Sequence, residues 1–211
     1  AVDYRGYELE EITLVPRPVK RPVDCWQPIV SASERGLKFM AKHKMKGIVG
    51  GGAKKGGSSE KVIEAWRRIQ VENGVEAELG ENLCVSFNFH IAETEEKAIK
   101  EVGLFFEENM KMFAPLGFIG GLDEGQIEAI NKGGVAARSA NLPTMEDAVN
   151  AGGWLVGTPE SVAEKLDEIQ SRYPFLKYIN VGQAIGTPQK VIVEQLEVFG
   201  KEVIPRVSPD L

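Results

Sequence analysis

The chain has 211 residues, 43% of them apolar, enough to bury a core as one domain or two small ones. Its 25 Lys and Arg against 31 Asp and Glu leave a net charge of −6, which works against a nucleic-acid backbone or an anionic membrane as partner. No unbroken apolar run approaches the ~18 residues of a membrane span and no signal-peptide core opens the chain, so a cytoplasmic protein is expected.

Residues 11–15 read as a short strand, closed by Pro16, Pro18 and Pro22, which favour extended or turn geometry. A β/α alternation follows. Residues 25–30 are strand-like, 33–43 helix-like, and Gly47-Ile48-Val49 a buried strand ending in Gly50-Gly51-Gly52. After the loop 53–58, an amphipathic helix over 59–72 puts Val62, Ala65, Trp66 and Ile69 on one face. Residues 83–91 form the longest predicted strand. Its alternation sends Leu83, Val85, Phe87, Phe89 and Ile91 to a dry face and Cys84, Ser86, Asn88 and His90 to a polar one. The next helix runs from about Thr94 to Phe113, with Ile99, Val102, Phe105 and Phe106 as its apolar stripe.

Residues 117–153 loosen into Gly120-Gly121, a helical piece over 124–132, Gly133-Gly134 and another helix over 144–150. A stretch this long between core units reads as an insertion or lid. Gly157-Thr158-Pro159 then starts a helix by Thr capping and Pro at the first position, and Gly186-Thr187-Pro188 repeats that signal before the last helix, whose predicted face is Val191, Leu196, Phe199 and Val203. A strand over 177–181 lies between them. Strands alternating with helices imply right-handed crossovers and a parallel α/β sheet. About four β/α units are too few to close an eight-stranded barrel.

In such a sheet, function sits beyond the carboxyl ends of the strands. Here these are Ser31-Ala32-Ser33, Gly50-Gly51-Gly52, the segment around His90, and 182–186. The first is a candidate anion site, because a helix start presents unpaired amides and Ser31 and Ser33 add hydroxyls. Capping of its own helix is the plainer role of either serine. His90 is a candidate general acid or base on its strand's polar face, with a hydrogen-bonded structural role as the plainer one. Cys25 and Cys84 read as reduced, buried packing residues. No metal-ligand spacing, catalytic triad or phosphate-binding P-loop motif is present. The chain opens at Ala1 rather than at a methionine, compatible with a fragment or a processed product.

The series Pro16-Arg17-Pro18-Val19-Lys20-Arg21-Pro22, Trp26-Gln27-Pro28-Ile29-Val30-Ser31-Ala32-Ser33, Ile48-Val49-Gly50, Phe87-Asn88-Phe89-His90-Ile91 and Val156-Gly157-Thr158-Pro159-Glu160 resembles, in order, the second half of bacterial luciferase-like flavin monooxygenases. The resemblance implies the C-terminal half of a TIM-type barrel. It also implies reduced FMN, or F420 in some branches, as cofactor, and oxygen insertion into an aldehyde or other small organic substrate. By the same resemblance Ser31, Ala32 and Ser33 correspond to the phosphate site and Gly50 and Gly51 flank the flavin ring. The family's first half is missing from the resemblance. That implies either self-association, a homo-oligomer being expected, or a complementary half-barrel as partner; a noncatalytic binding or assembly module is the other reading.

Overall fold

The longest strand organises the molecule. In the computed structural model, which describes residues 2–11, 13, 15–116, 119 and 122–208, that strand is Leu83–Ile91 (β5). A hairpin of Val2–Tyr4 (β1) and Tyr7–Leu9 (β2) precedes the main sheet. Sequence reasoning did not foresee it, because its turn, Arg5-Gly6 with both φ positive, joins runs of only three residues. Of the strand expected over 11–15, residues 12 and 14 lie outside the described residues, as do Gly120 and Gly121, and Glu11, Thr13 and Val15 are not in a strand.

The main sheet is parallel throughout and takes Trp26–Ile29 (β3), Lys46–Val49 (β4), β5, Trp154–Gly157 (β6) and Tyr178–Gly182 (β7). β5 serves three neighbours. Its even residues bond on one side, first toward the β4 turn (Gly52 N–H to Ser86 O, 3.1 Å) and then toward β6 (Gly153 O accepts from Asn88 N–H, 3.1 Å). Its odd residues therefore face β7, which pairs with it from Cys84↔Tyr178 to Asn88↔Gly182.

Helices Glu34–Lys42 (α1), Ser58–Glu72 (α2) and Pro159–Arg172 (α7) cover one face. Their Leu37, Met40, Ile63, Trp66, Ile69, Val162 and Leu166 pack with Leu83, Val85, Phe87, Phe89 and Ile91 in the main core. The alternation read from the sequence points these side chains as expected. Helix Glu95–Phe113 (α3) lies on the other face at the carboxyl end of β5 and carries a second cluster. Helices Glu124–Lys132 (α4), Gly134–Ser139 (α5) and Met145–Asn150 (α6) complete that region. Ala98, Val102, Phe106, Met110, Met145, Trp154 and Val156 are buried there. The nominally polar face of β5 is thus half dry: His90 is buried although Ser86 and Asn88 are not.

The last helix, Gln189–Val198 (α8), continues through a π-helical turn, Phe199–Val203, into Ile204–Val207 (α9). Phe199 and Val203 are buried as expected, but Leu196 is 48% exposed and Gln195 is buried in its place. Among the described residues no helix is long and apolar enough to cross a membrane.

The sheet is strongly curved. Trp26 on β3 and Tyr178 on β7 lie three strands apart, a separation of about 14 Å in a flat sheet, yet their ring centroids are 5.1 Å apart. Lys46 Nζ sits 5.3 Å from the Trp26 ring and bonds Asp24 at 3.1 Å, closing the amino end of the concave face. Above this plug Pro28, Ile48 and Cys84 share a layer of the concave face, and the next layer is polar, with Asn180 Nδ2 donating to Ser86 Oγ at 3.3 Å.

Candidate active site

β3 and β4 run side by side with Ile29 opposite Val49, so the turns that follow them leave the same end of the sheet. Ser31, Ala32 and Ser33 after β3 and Gly50 and Gly51 after β4 are all exposed, and the structure brings these five expected residues to one rim.

Ser33 occupies the N-cap position of α1, where Leu37 N–H donates to its carbonyl at 3.0 Å. Its hydroxyl, however, makes no capping bond. The other N-caps of this chemistry among the described residues, Thr94, Asp123, Thr144 and Thr158, all accept a backbone N–H. The plainer role proposed for Ser33 is therefore not the one it plays. Its hydroxyl thus makes no cap bond, and the first amides of α1 have no acceptor within the helix. Glu34 in the first turn opposes an anion, but its carboxylate is held by Arg68 at 3.0 Å and Lys38 at 3.3 Å. Those two cations keep it below the usual carboxylate range, the Arg68 bond being the larger influence.

The glycine turn is held from beneath. Buried Ser59 donates its hydroxyl to Gly50 O at 3.0 Å, and Gly52, at φ +77°, lies against the loop before β6: a β-carbon there would stand 1.6 Å from Gly152 O. At Gly50 a β-carbon would meet nothing within 4 Å.

His90 lies farther along, on β5. It is 2% exposed, and its Nε2 lies 2.9 Å from Oε2 of Glu101 on α3, whose side chain is 43% exposed. Its buried Nδ1 has no hydrogen-bond partner. The ring is not presented to solvent. Cys25, expected to be buried, is exposed because it precedes rather than joins β3, whereas Cys84 is buried and burial pushes its thiol up. Among the described residues no three His, Cys, Asp or Glu side chains form a metal-binding group.

Sequence reasoning missed the glutamines at the end of β5. Gln195 of α8 meets Ile91 twice, accepting its N–H at 2.7 Å and donating to its carbonyl at 2.9 Å. Gln183 Nε2 donates to Phe89 O at 2.9 Å. A polar residue breaking the apolar period of α8 was the available signal.

The profile of the luciferase-like monooxygenases matches residues 1–174. The chain belongs to that family. No curated protein matches it. Among solved structures this luciferase-like chain is similar to monooxygenase RslO1 from Streptomyces bottropensis, at 18% identity and TM-score 0.61, covering 93% of this chain and 52% of that one. It is also similar to the oxygenating constituent of 3,6-diketocamphane monooxygenase from Pseudomonas putida, solved in complex with FMN, at 19% identity and TM-score 0.55, covering 81% and 45%. A third is the coenzyme F420 dependent tetrahydromethanopterin reductase from Methanopyrus kandleri, at 20% identity and TM-score 0.57, covering 87% and 50%. These likenesses show the fold. The chain spans about half the length of the solved relatives it matches.

Proposed function

We propose that this luciferase-like chain forms the phosphate end and one wall of a flavin site in a monooxygenase acting with reduced FMN and O2 on an aldehyde or other small organic substrate. The observation that carries this reading is the uncommitted Ser33 hydroxyl at the start of α1, beside a glycine turn with open space at Gly50. Ser31, Ala32 and Ser33 hold a phosphate through hydroxyls and helix-start amides. Gly50 and Gly51 let a planar ring approach the backbone. Reduced flavin supplies the two electrons with which one oxygen atom of O2 enters the substrate and the other leaves as water. His90 and Glu101 form a hydrogen-bonded pair at the neighbouring strand end, and Glu101 is its solvent contact. F420, which also carries a phosphate, is the alternative cofactor; the FMN in one related structure and the F420 in the name of another support keeping both.

The outer edges of β3, β6 and β7, unpaired among the described residues, call for a second β/α half, supplied by another copy of the chain or by a complementary half-barrel, to close the pocket.

Titration of the protein with FMN, F420 and riboflavin, followed by fluorescence quenching, tests the site. FMN is expected to bind at least tenfold tighter than riboflavin, and Ser33→Ala to remove most of that difference. A folded protein with equal or no affinity for the two overturns the flavin reading in favour of a noncatalytic assembly module.

A further inference from the structure

The ladder between β5 and β7 ends at Asn88↔Gly182, yet three residues of β5 continue past it. Along that edge the polar backbone groups belong to Phe89 and Ile91, both buried, and a buried strand edge without partners is costly. The Gly182 carbonyl accepts the Phe89 N–H as the last rung of that ladder, and no strand takes up the other three groups. Two side chains do. Gln183, in the loop just after β7, donates to Phe89 O, and Gln195, on α8, both accepts from Ile91 N–H and donates to Ile91 O. A carboxamide carries one acceptor and one donor site in one plane, the same pair that a strand residue offers its parallel neighbour. Gln195 spans 104 positions to make this contact and is itself buried. One turn further on, Phe199 packs edge-on against Phe89, with centroids 5.0 Å apart. His90 lies between the two residues thus clamped.

We propose that Gln183 and Gln195 act together as a surrogate strand. They extend the β7 edge by side chain instead of backbone, and so hold the carboxyl end of β5, His90 included, at a fixed height on the rim. They are positioning residues; that description rests on the flavin-site reading of the rim, whereas the surrogate ladder does not. α8 is accordingly an element that sets the geometry of the rim rather than a cover for the core alone.

The test uses Gln195→Met and Gln183→Met, which keep the side-chain length and remove the amide. Three measurements are made on each variant: amide hydrogen exchange by NMR, the 15N shifts of the His90 imidazole, and FMN affinity. In Gln195→Met the Ile91 amide is expected to exchange at least tenfold faster, with the Val85 and Phe87 amides, which face the β7 backbone, unchanged. In both variants the His90 nitrogens are expected to shift. FMN affinity is expected to weaken severalfold.

An unchanged Ile91 exchange rate, or a faster rate with unmoved His90 shifts, overturns the proposal. So does loosening spread equally over all of β5, which would make the glutamines general stabilisers. Should Gln195→Met fail to fold, Gln183→Met, which removes a single bond, decides the matter through His90 alone. If the parent protein shows no FMN affinity, the flavin reading fails, while the exchange and His90 measurements still judge the ladder.

Discussion

At the residue scale, neighbouring positions of one turn carry opposite constraints. Gly52 combines φ +77° with a backbone oxygen where its β-carbon would go, and Gly50 has neither constraint. Gly52→Ala is expected to destabilise the protein by on the order of 3 kcal/mol, since the clash is with backbone and adds to the left-handed strain. Gly50→Ala is expected to stay within about 0.5 kcal/mol of the parent; urea denaturation measures both. The same contrast separates two N-caps. Thr158 accepts Ser161 N–H at 3.2 Å and is reciprocated by Ser161 Oγ, so Thr158→Ala should cost about 1 kcal/mol. Ser33→Ala removes no cap bond and should cost less than about 0.5 kcal/mol. A stability loss for Ser33→Ala equal to that of Thr158→Ala would return Ser33 to an ordinary capping role.

At the scale of elements, the repeated Gly-Thr-Pro shows how one signal is used in two ways. At α7 the threonine caps and the proline takes the first helical position. At α8 the proline itself is the N-cap and makes no side-chain cap bond, while the Thr187 hydroxyl donates to Ala184 O at 2.8 Å. The second start is a turn lock displaced by one residue, which the tripeptide alone does not reveal. α2 is held at its centre by Trp66, which is fully buried and donates its indole N–H to Glu81 O at 3.1 Å. Trp66→Ala is expected to cost about 3–5 kcal/mol from lost packing. Trp66→Phe keeps most of the packing but orphans the carbonyl, for about 1–3 kcal/mol. Thermal melts of the pair separate the two contributions.

At the scale of the whole molecule, β3, β6 and β7 of a curved parallel sheet each pair on one side only among the described residues. The β5–β7 register turns the backbone groups of Tyr178 and Asn180 toward β5 and those of Ile179 and Val181 away from it. Near the edges of β3 and β7, Tyr178, Val193, Leu196, Val30 and Phe39 are each more than 40% exposed. Such edges recruit other strands, so light scattering after size exclusion is expected to show the chain as a dimer or larger. Ile179→Pro, which removes an outward N–H and leaves the β5 ladder whole, is expected to shift the population toward monomer. A monomeric parent protein at high concentration would rule out self-association. Toward its carboxyl end the concave face differs from a packed barrel interior of branched apolar side chains: Ser86, Asn88 and Asn180 line it there.

Local chemistry made much of this legible in the sequence. The period-two pattern of 83–91, the apolar stripes of α2 and α3, the Thr-Pro start of α7 and the glycine and serine strand ends each depend on neighbours a few residues away, and the elements stand where those patterns place them. The burial of His90, the exposure of Leu196 and the uncommitted hydroxyl of Ser33 were not legible. Each depends on a tertiary contact or on the lack of a local bond: α3 folded back across the polar face of β5, and Gln195 reached 104 residues to Ile91. Periodicity says which way a side chain points, but only the packed fold decides what stands opposite it.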